Sequence, residues 1–89
     1  MSTLLHVTNL PISTTEEALA GKFGQFGVVV STRINRDPAT GRSLRSGFVE
    51  MKTAASAQAA IERLNLADFD GRLMSVYKAI AQAPAPVAH

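Results

Sequence analysis

Cysteine and tryptophan are both missing from this chain. Without cysteine, no disulfide can staple the fold and no thiolate can hold a metal; the composition fits a reducing compartment and sets the expectation of a cytoplasmic protein. The two histidines stand at His6 and His89, with no cysteine to complete a ligand set, so neither a metal nor another cofactor is expected. No apolar run approaches the roughly 20 residues that cross a bilayer, and no membrane role is expected. Met1-Ser2-Thr3 does not lead from a basic segment into an apolar one, so a secretory leader is not expected either. Charge is sparse: Asp, Glu, Lys and Arg make up 18% of the residues and the net charge is +2. That argues against a disordered chain and points only weakly to a polyanionic partner.

What is present suits one small domain. Of 89 residues, 46% are apolar, enough for a modest core and too few residues for two domains. Leu4 to Leu10 alternates as a strand, with Leu5 and Val7 on one side and His6 and Thr8 on the other. Asn9-Leu10-Pro11 ends it. Ser13 with Glu16, or Thr14 with Glu17, has the spacing of a capping box, and a helix is expected from there to about Gln25, with Leu19, Phe23 and Phe26 facing inward. Val28 to Asn35 is rich in β-branched residues and reads as a second strand. Asp37-Pro38-Ala39-Thr40-Gly41 is turn chemistry. In a third strand, Leu44 to Met51, Gly47, Val49 and Met51 point one way and Leu44, Ser46, Phe48 and Glu50 the other. Thr53 caps a second helix, Ala54 to Asn65, with an apolar stripe of Ala57, Ala60, Ile61 and Leu64. After the turn at Asp70-Gly71, the last strand runs from Leu73 to Ala79, with Met74 and Val76 inward and Ser75 and Tyr77 outward.

The order βαββαβ specifies an α+β, ferredoxin-like sandwich: a four-stranded antiparallel sheet with two helices on one face. Residues 1–80 form this domain, and residues 81–89 read as a flexible Ala/Pro-rich tail. The other sheet face stays open. Pattern puts His6, Thr8, Phe48, Glu50 and Tyr77 on it, joined by Arg33 and Asn35 from the second strand. Leaving a Phe exposed forgoes up to about 3 kcal/mol of burial. Aromatics clustered beside positive charge are better explained by stacking on unpaired bases, at about 1–3 kcal/mol per base. Between Ser31 and Val49 stand Arg33, Arg36, Arg42 and Arg45 against the single acid Asp37. A basic loop beside a sheet steers phosphates.

Leu5-His6-Val7-Thr8-Asn9-Leu10 resembles the six-residue strand-one motif of RNA-recognition-motif domains. Leu44-Arg45-Ser46-Gly47-Phe48-Val49-Glu50-Met51 resembles their eight-residue strand-three motif. Thr40-Gly41-Arg42-Ser43, Phe26-Gly27 and Asp70-Gly71-Arg72 are also typical and correctly spaced. The resemblance spans about residues 4–79 and is closest in length to the short one-domain bacterial members, although an excised eukaryotic domain stays open. It implies single-stranded RNA binding on the sheet. In the family, aromatics at the positions of His6 and Phe48 each stack a base. A third, at the position of Ser46, lies between two sugars, and a basic residue at the position of Leu44 pairs with a phosphate. Here His6, Ser46 and Leu44 all depart from that pattern. Arg45 stands where the family usually has glycine; it reaches a phosphate only if the strand begins late or bulges there. The residues expected at RNA are therefore His6, Thr8, Asn9, Arg33, Asn35, Arg42, Arg45, Ser46, Phe48, Glu50 and Tyr77, with Tyr77 as an extra stacking surface.

Other readings compete. Gly21-Lys22-Phe23-Gly24 matches the GxxG loop of KH domains, but Phe23 falls where the helix needs a core residue. Acyl-phosphate hydrolysis occurs on this topology, yet Asn9-Leu10-Pro11-Ile12-Ser13 offers neither glycines nor a basic residue as a phosphate cradle. No carboxylate pair or Ser/His/Asp set converges. Neither an enzyme nor a small-molecule substrate is expected. Single-stranded DNA remains open as a ligand. A protein-interaction module with weak or no nucleic-acid binding is the alternative, favoured by Ser46 and Leu44 and opposed by Phe48, Tyr77 and the arginines.

Overall fold

Strand residues alternate sides, and in this chain the apolar half of each alternation meets the apolar stripes of two helices. The computed structural model describes residues 2–79; the expected tail, residues 81–89, lies outside the described residues. The elements are β1 (Thr3–Thr8), α1 (Glu16–Phe23), β2 (Val29–Arg36), β3 (Ser43–Met51), α2 (Ala54–Leu64), β4 (Ala67–Phe69) and β5 (Arg72–Lys78), with one 3₁₀ turn at Gly24–Phe26 after α1. The sheet order is β2-β3-β1-β5-β4, antiparallel at each pairing. Leu5, Val7, Ile34, Val49, Met51, Met74 and Val76 from the strands are buried against Leu19, Phe23, Ala57, Ala60 and Leu64 from the helices. This is the expected ferredoxin-like arrangement, with both helices on one face.

The sheet carries five strands rather than four. Leu66 and Asp70 both take left-handed backbone (φ 64° and 52°) and bracket the three-residue β4, which folds onto β5 as a hairpin. A segment of three residues holds too little alternation to announce itself as a strand.

Helix α1 begins one residue later than the Thr14 alternative and two later than Ser13. The cap is Thr15, whose hydroxyl accepts from the Ala18 N–H at 3.1 Å, so the reciprocal glutamate of a capping box is absent. Glu16 is spent elsewhere. Its carboxylate accepts from the Ile34 N–H at 3.3 Å and from Arg36 at 3.0 Å, tying the first turn of α1 to β2. A hydrogen bond from its own backbone N–H, then that of Ile34 and the Arg36 charge, hold its pKa below the ordinary carboxylate value against the opposing cost of burial. The helix closes at Phe23, and Phe26 reaches the edge of the core from the 3₁₀ turn. Thr53 caps α2 as expected, accepting from the Ser56 N–H.

Two glycines are required by close approach. A Cβ on Gly27, at φ +155°, would lie 2.1 Å from Ser56 Oγ in α2. One on Gly47 would lie 2.2 Å from the Arg33 carbonyl oxygen, which would push β2 off β3. In contrast, a Cβ on Gly21 meets nothing within 4 Å, so that glycine is tolerated rather than required.

Candidate nucleic-acid interface

Register builds the open face row by row. His6 on β1 pairs with Phe48 on β3 and with Tyr77 on β5, and Phe48 pairs with Arg33 on β2. One row across four strands therefore reads Arg33, Phe48, His6, Tyr77. The His6 and Phe48 rings stack, with centroids 4.8 Å apart and planes 16° from parallel. Tyr77 meets His6 edge-on at 5.0 Å, and its hydroxyl lies 2.6 Å from His6 Nδ1. An offset stack and a T-shaped contact are the two arrangements that aromatic quadrupoles favour. Burial beneath its neighbours lowers the His6 pKa from the ordinary imidazole value, so His6 is mostly neutral at pH 7.

A second row runs one pleat away. Thr8 pairs with Ser46 and with Ser75, and Asn35 donates from Nδ2 to Ser46 Oγ at 3.0 Å. A third row, on the other side, places Glu50 between Ser31 and Leu4. Glu50 accepts from Ser31 Oγ at 3.3 Å and from Ser2 Oγ. Ser31, Ser75 and Leu4 were not among the expected site residues. The period-2 pattern that places Arg33 and Tyr77 outward places Ser31 and Ser75 there too, but a serine carries no stacking surface to mark it as a site residue.

The arginines divide. Arg36 is paired with Glu16. Arg33 and Arg45 are exposed. Arg42 is exposed in the β2–β3 loop, whose ends are joined by Asp37 N–H to Arg42 C=O at 2.8 Å. Arg45 answers the condition set by its sequence position. It adopts φ 63°, and the β2–β3 pairing jumps from Ile34–Gly47 to Arg36–Ser43, so β3 bulges there. A left-handed residue in a bulge is a place for glycine. The bulge releases Arg45 from strict alternation and leaves its side chain in solvent.

Asn9 serves the frame. Its backbone is left-handed at φ 61°; its amide donates to the Leu73 carbonyl at 2.8 Å and accepts from Arg72 at 2.7 Å. The side chain thereby ties the end of β1 to β5.

This fold and this site define a class. The model for the RNA recognition motif matches residues 5–75, and the chain belongs to that family. A curated relative in Nostoc sp., RbpE, whose name assigns it provisionally to RNA binding, is 39% identical over 84% of this chain and 76% of its own length. The crystal structure of an RNA-binding protein, PG1, superposes with a TM-score of 0.87 at 40% identity, covering 93% of this chain and 99% of that one. A Sex-lethal protein–RNA complex superposes at 0.82 with 39% identity over 86% of this chain and 47% of its own. Several plant and fungal relatives are longer, and the chain spans less than half of each. Among the described residues, no helix is long and apolar enough to cross a membrane.

Proposed function

We propose that this chain binds single-stranded RNA across the open sheet face. Bases stack on Phe48, His6 and Tyr77, and phosphates are drawn by Arg33, Arg42 and Arg45. The carrying observation is the row Arg33–Phe48–His6–Tyr77, in which a guanidinium and three rings line up in register on a face that no helix among the described residues covers. Each base stacked on an aromatic contributes about 1–3 kcal/mol. Relatives solved with RNA support the same use of the same fold. The reading is of a binding module in the cytoplasm, with no chemistry of its own.

Affinity is expected to be micromolar or weaker. Ser46 supplies no ring for the sugars, and Tyr77 and His6 hold each other, so reorienting either ring costs their mutual contact. With little at the sugars, discrimination between RNA and single-stranded DNA is expected to be shallow.

The test is an NMR titration of labelled protein with random short single-stranded RNA, repeated with DNA. Shifts concentrated at His6, Thr8, Arg33, Phe48 and Tyr77 are the expected result. If these residues stay still at millimolar RNA, the reading is wrong and a protein partner should be sought. Salt gives a second criterion, since phosphate contacts weaken steeply with ionic strength and apolar protein contacts do not.

A further inference from the structure

Glu50 is out of place on a surface that receives a polyanion. A carboxylate there repels phosphate, and the usual remedy is an ion pair with the nearest cation. Arg33 stands on the neighbouring strand, opposite Phe48 and two residues from Glu50's own register partner Ser31. Yet the two charges do not pair; among the described residues the one salt bridge is Arg36–Glu16. Glu50 is held instead by two hydroxyls, Ser31 Oγ on one oxygen and Ser2 Oγ on the other. Neutral donors fix the carboxylate without cancelling its charge, and each oxygen keeps a further lone pair.

A concavity of about 300 Å³ is lined by Leu4, Ser31, Arg33 and Phe48, of which Leu4 and Ser31 are Glu50's register partners on its two sides. Ser31 joins it directly to Glu50. Around one ring, therefore, stand a guanidinium with no side-chain acceptor and a carboxylate with no cation among the described residues. A ligand that stacks on Phe48 and satisfies both must be flat, must offer hydrogen-bond donors on one edge and must offer acceptors on the adjacent edge.

Resting on the RNA-binding reading above, we propose that the Phe48 position selects guanine. Guanine presents N1–H and N2–H side by side, two parallel donors that a carboxylate accepts as a pair. It also presents O6 and N7, the acceptors that arginine engages. Adenine and cytosine carry one amino group beside a ring nitrogen whose lone pair faces the carboxylate. Uracil carries one N–H between two carbonyls, which also face it. Glu50 thus works as a specificity residue, favouring one base and repelling the edges of the other three.

The test uses fluorescence anisotropy on short uracil-rich RNAs that differ at a single position: guanine, inosine, adenine, cytosine or uracil. Inosine keeps N1–H, O6 and N7 and lacks only the N2 amino group. Wild-type protein is expected to bind the guanine RNA about 5- to 150-fold tighter than the uracil RNA, the range of one good bidentate contact, with inosine in between. Glu50→Gln, which keeps an oxygen for the serine hydroxyls, is expected to shrink the guanine-to-uracil ratio. Equal affinity for all five RNAs, with sheet residues still shifting in NMR spectra, overturns the guanine assignment and leaves RNA binding standing. A guanine preference that survives Glu50→Gln, in a variant whose spectrum shows it folded, assigns selectivity elsewhere and overturns the role of Glu50. If no RNA moves the sheet residues, both readings fall together.

Discussion

Two rows of the open face lie one pleat apart on the same four strands, yet they carry opposite chemistry. Arg33, Phe48, His6 and Tyr77 supply a cation and three planar rings, with Phe48 and Tyr77 each in contact with His6. Asn35, Ser46, Thr8 and Ser75 supply an amide and three hydroxyls with no ring among them. Strands and sheet order are shared, and only the β2–β3 end of the hydroxyl row meets the bulge, so the main difference between the aromatic, upper row and the hydroxyl, lower row is side-chain choice. The upper row can bury large flat surfaces, and the lower row can only exchange hydrogen bonds with water for hydrogen bonds with ligand, a trade worth little net. Binding energy should therefore be concentrated in one row.

The sharpest way to break that asymmetry is Phe48→Ala. The expected loss of RNA affinity is about 5- to 150-fold, equivalent to one stacked base, measured by anisotropy at fixed salt. Thr8→Ala, one pleat away, is expected to cost far less. Comparable losses at both positions would mean that the rows share the work.

The complementary experiment gives the lower row a ring. Ser46→Phe places an aromatic beside Thr8 and removes the part-buried hydrogen bond from Asn35, which costs about 1 kcal/mol. Affinity for RNA is expected to rise by about 5-fold, the low end of one stacking contact, and the RNA-to-DNA ratio is expected to rise with it. Unchanged affinity would show that ligand does not cross the lower row at all.

Much of this face was legible in the sequence because strand periodicity is strict. Once Leu5 and Val7 are assigned to the core, His6 and Thr8 can only face outward, and the same logic places Phe48, Glu50 and Tyr77. What was not legible depends on backbone that breaks the period. Nothing in Leu44-Arg45-Ser46 announces the left-handed Arg45 or the bulge it makes, because arginine has no preference for that conformation. The same holds for Leu66 and Asp70 around β4. Capping was ambiguous for a different reason. Ser13, Thr14 and Thr15 are all competent caps, and the choice of Thr15 follows from Glu16, which β2 recruits through Ile34 and Arg36. Asn9 is expected at RNA, and no local pattern reveals that its exposed side chain also bonds Leu73 and Arg72, partners more than sixty residues away.

Arg45 lies at the corner where the bulge meets the lower row, and Arg45→Gly separates its two roles. Left-handed backbone costs a non-glycine residue about 1–2 kcal/mol, and part of that relief is offset by the greater freedom of glycine in the unfolded chain. A net stabilisation of about 0.5 kcal/mol is expected, read as a rise of about 2–4 °C in the unfolding midpoint. If Arg45 meets a phosphate, the same variant binds RNA more weakly, and the slope of log affinity against log salt falls by about 1. Gain of stability with no change in slope would leave Arg33 and Arg42 as the phosphate contacts.

The smallest effect tests the upper row through the one histidine among the described residues. Burial lowers the His6 pKa below the unfolded value of 6.5, so the folded state resists a proton that the unfolded chain accepts. Its contribution to stability is therefore present above about pH 6.5 and is lost as pH falls through the lower folded pKa. Urea unfolding midpoints should decline across that window for the wild type. His6→Phe removes the titrating group, and the decline attributable to it, while keeping a ring against Phe48. The variant also leaves the Tyr77 hydroxyl without its partner at Nδ1. If His6→Phe binds RNA better than the wild type at neutral pH, the planar surface of the row is what the ligand uses. If it binds worse, the imidazole's bond to Tyr77 holds the row in its binding arrangement, and the upper row works through its internal contacts as much as through its rings.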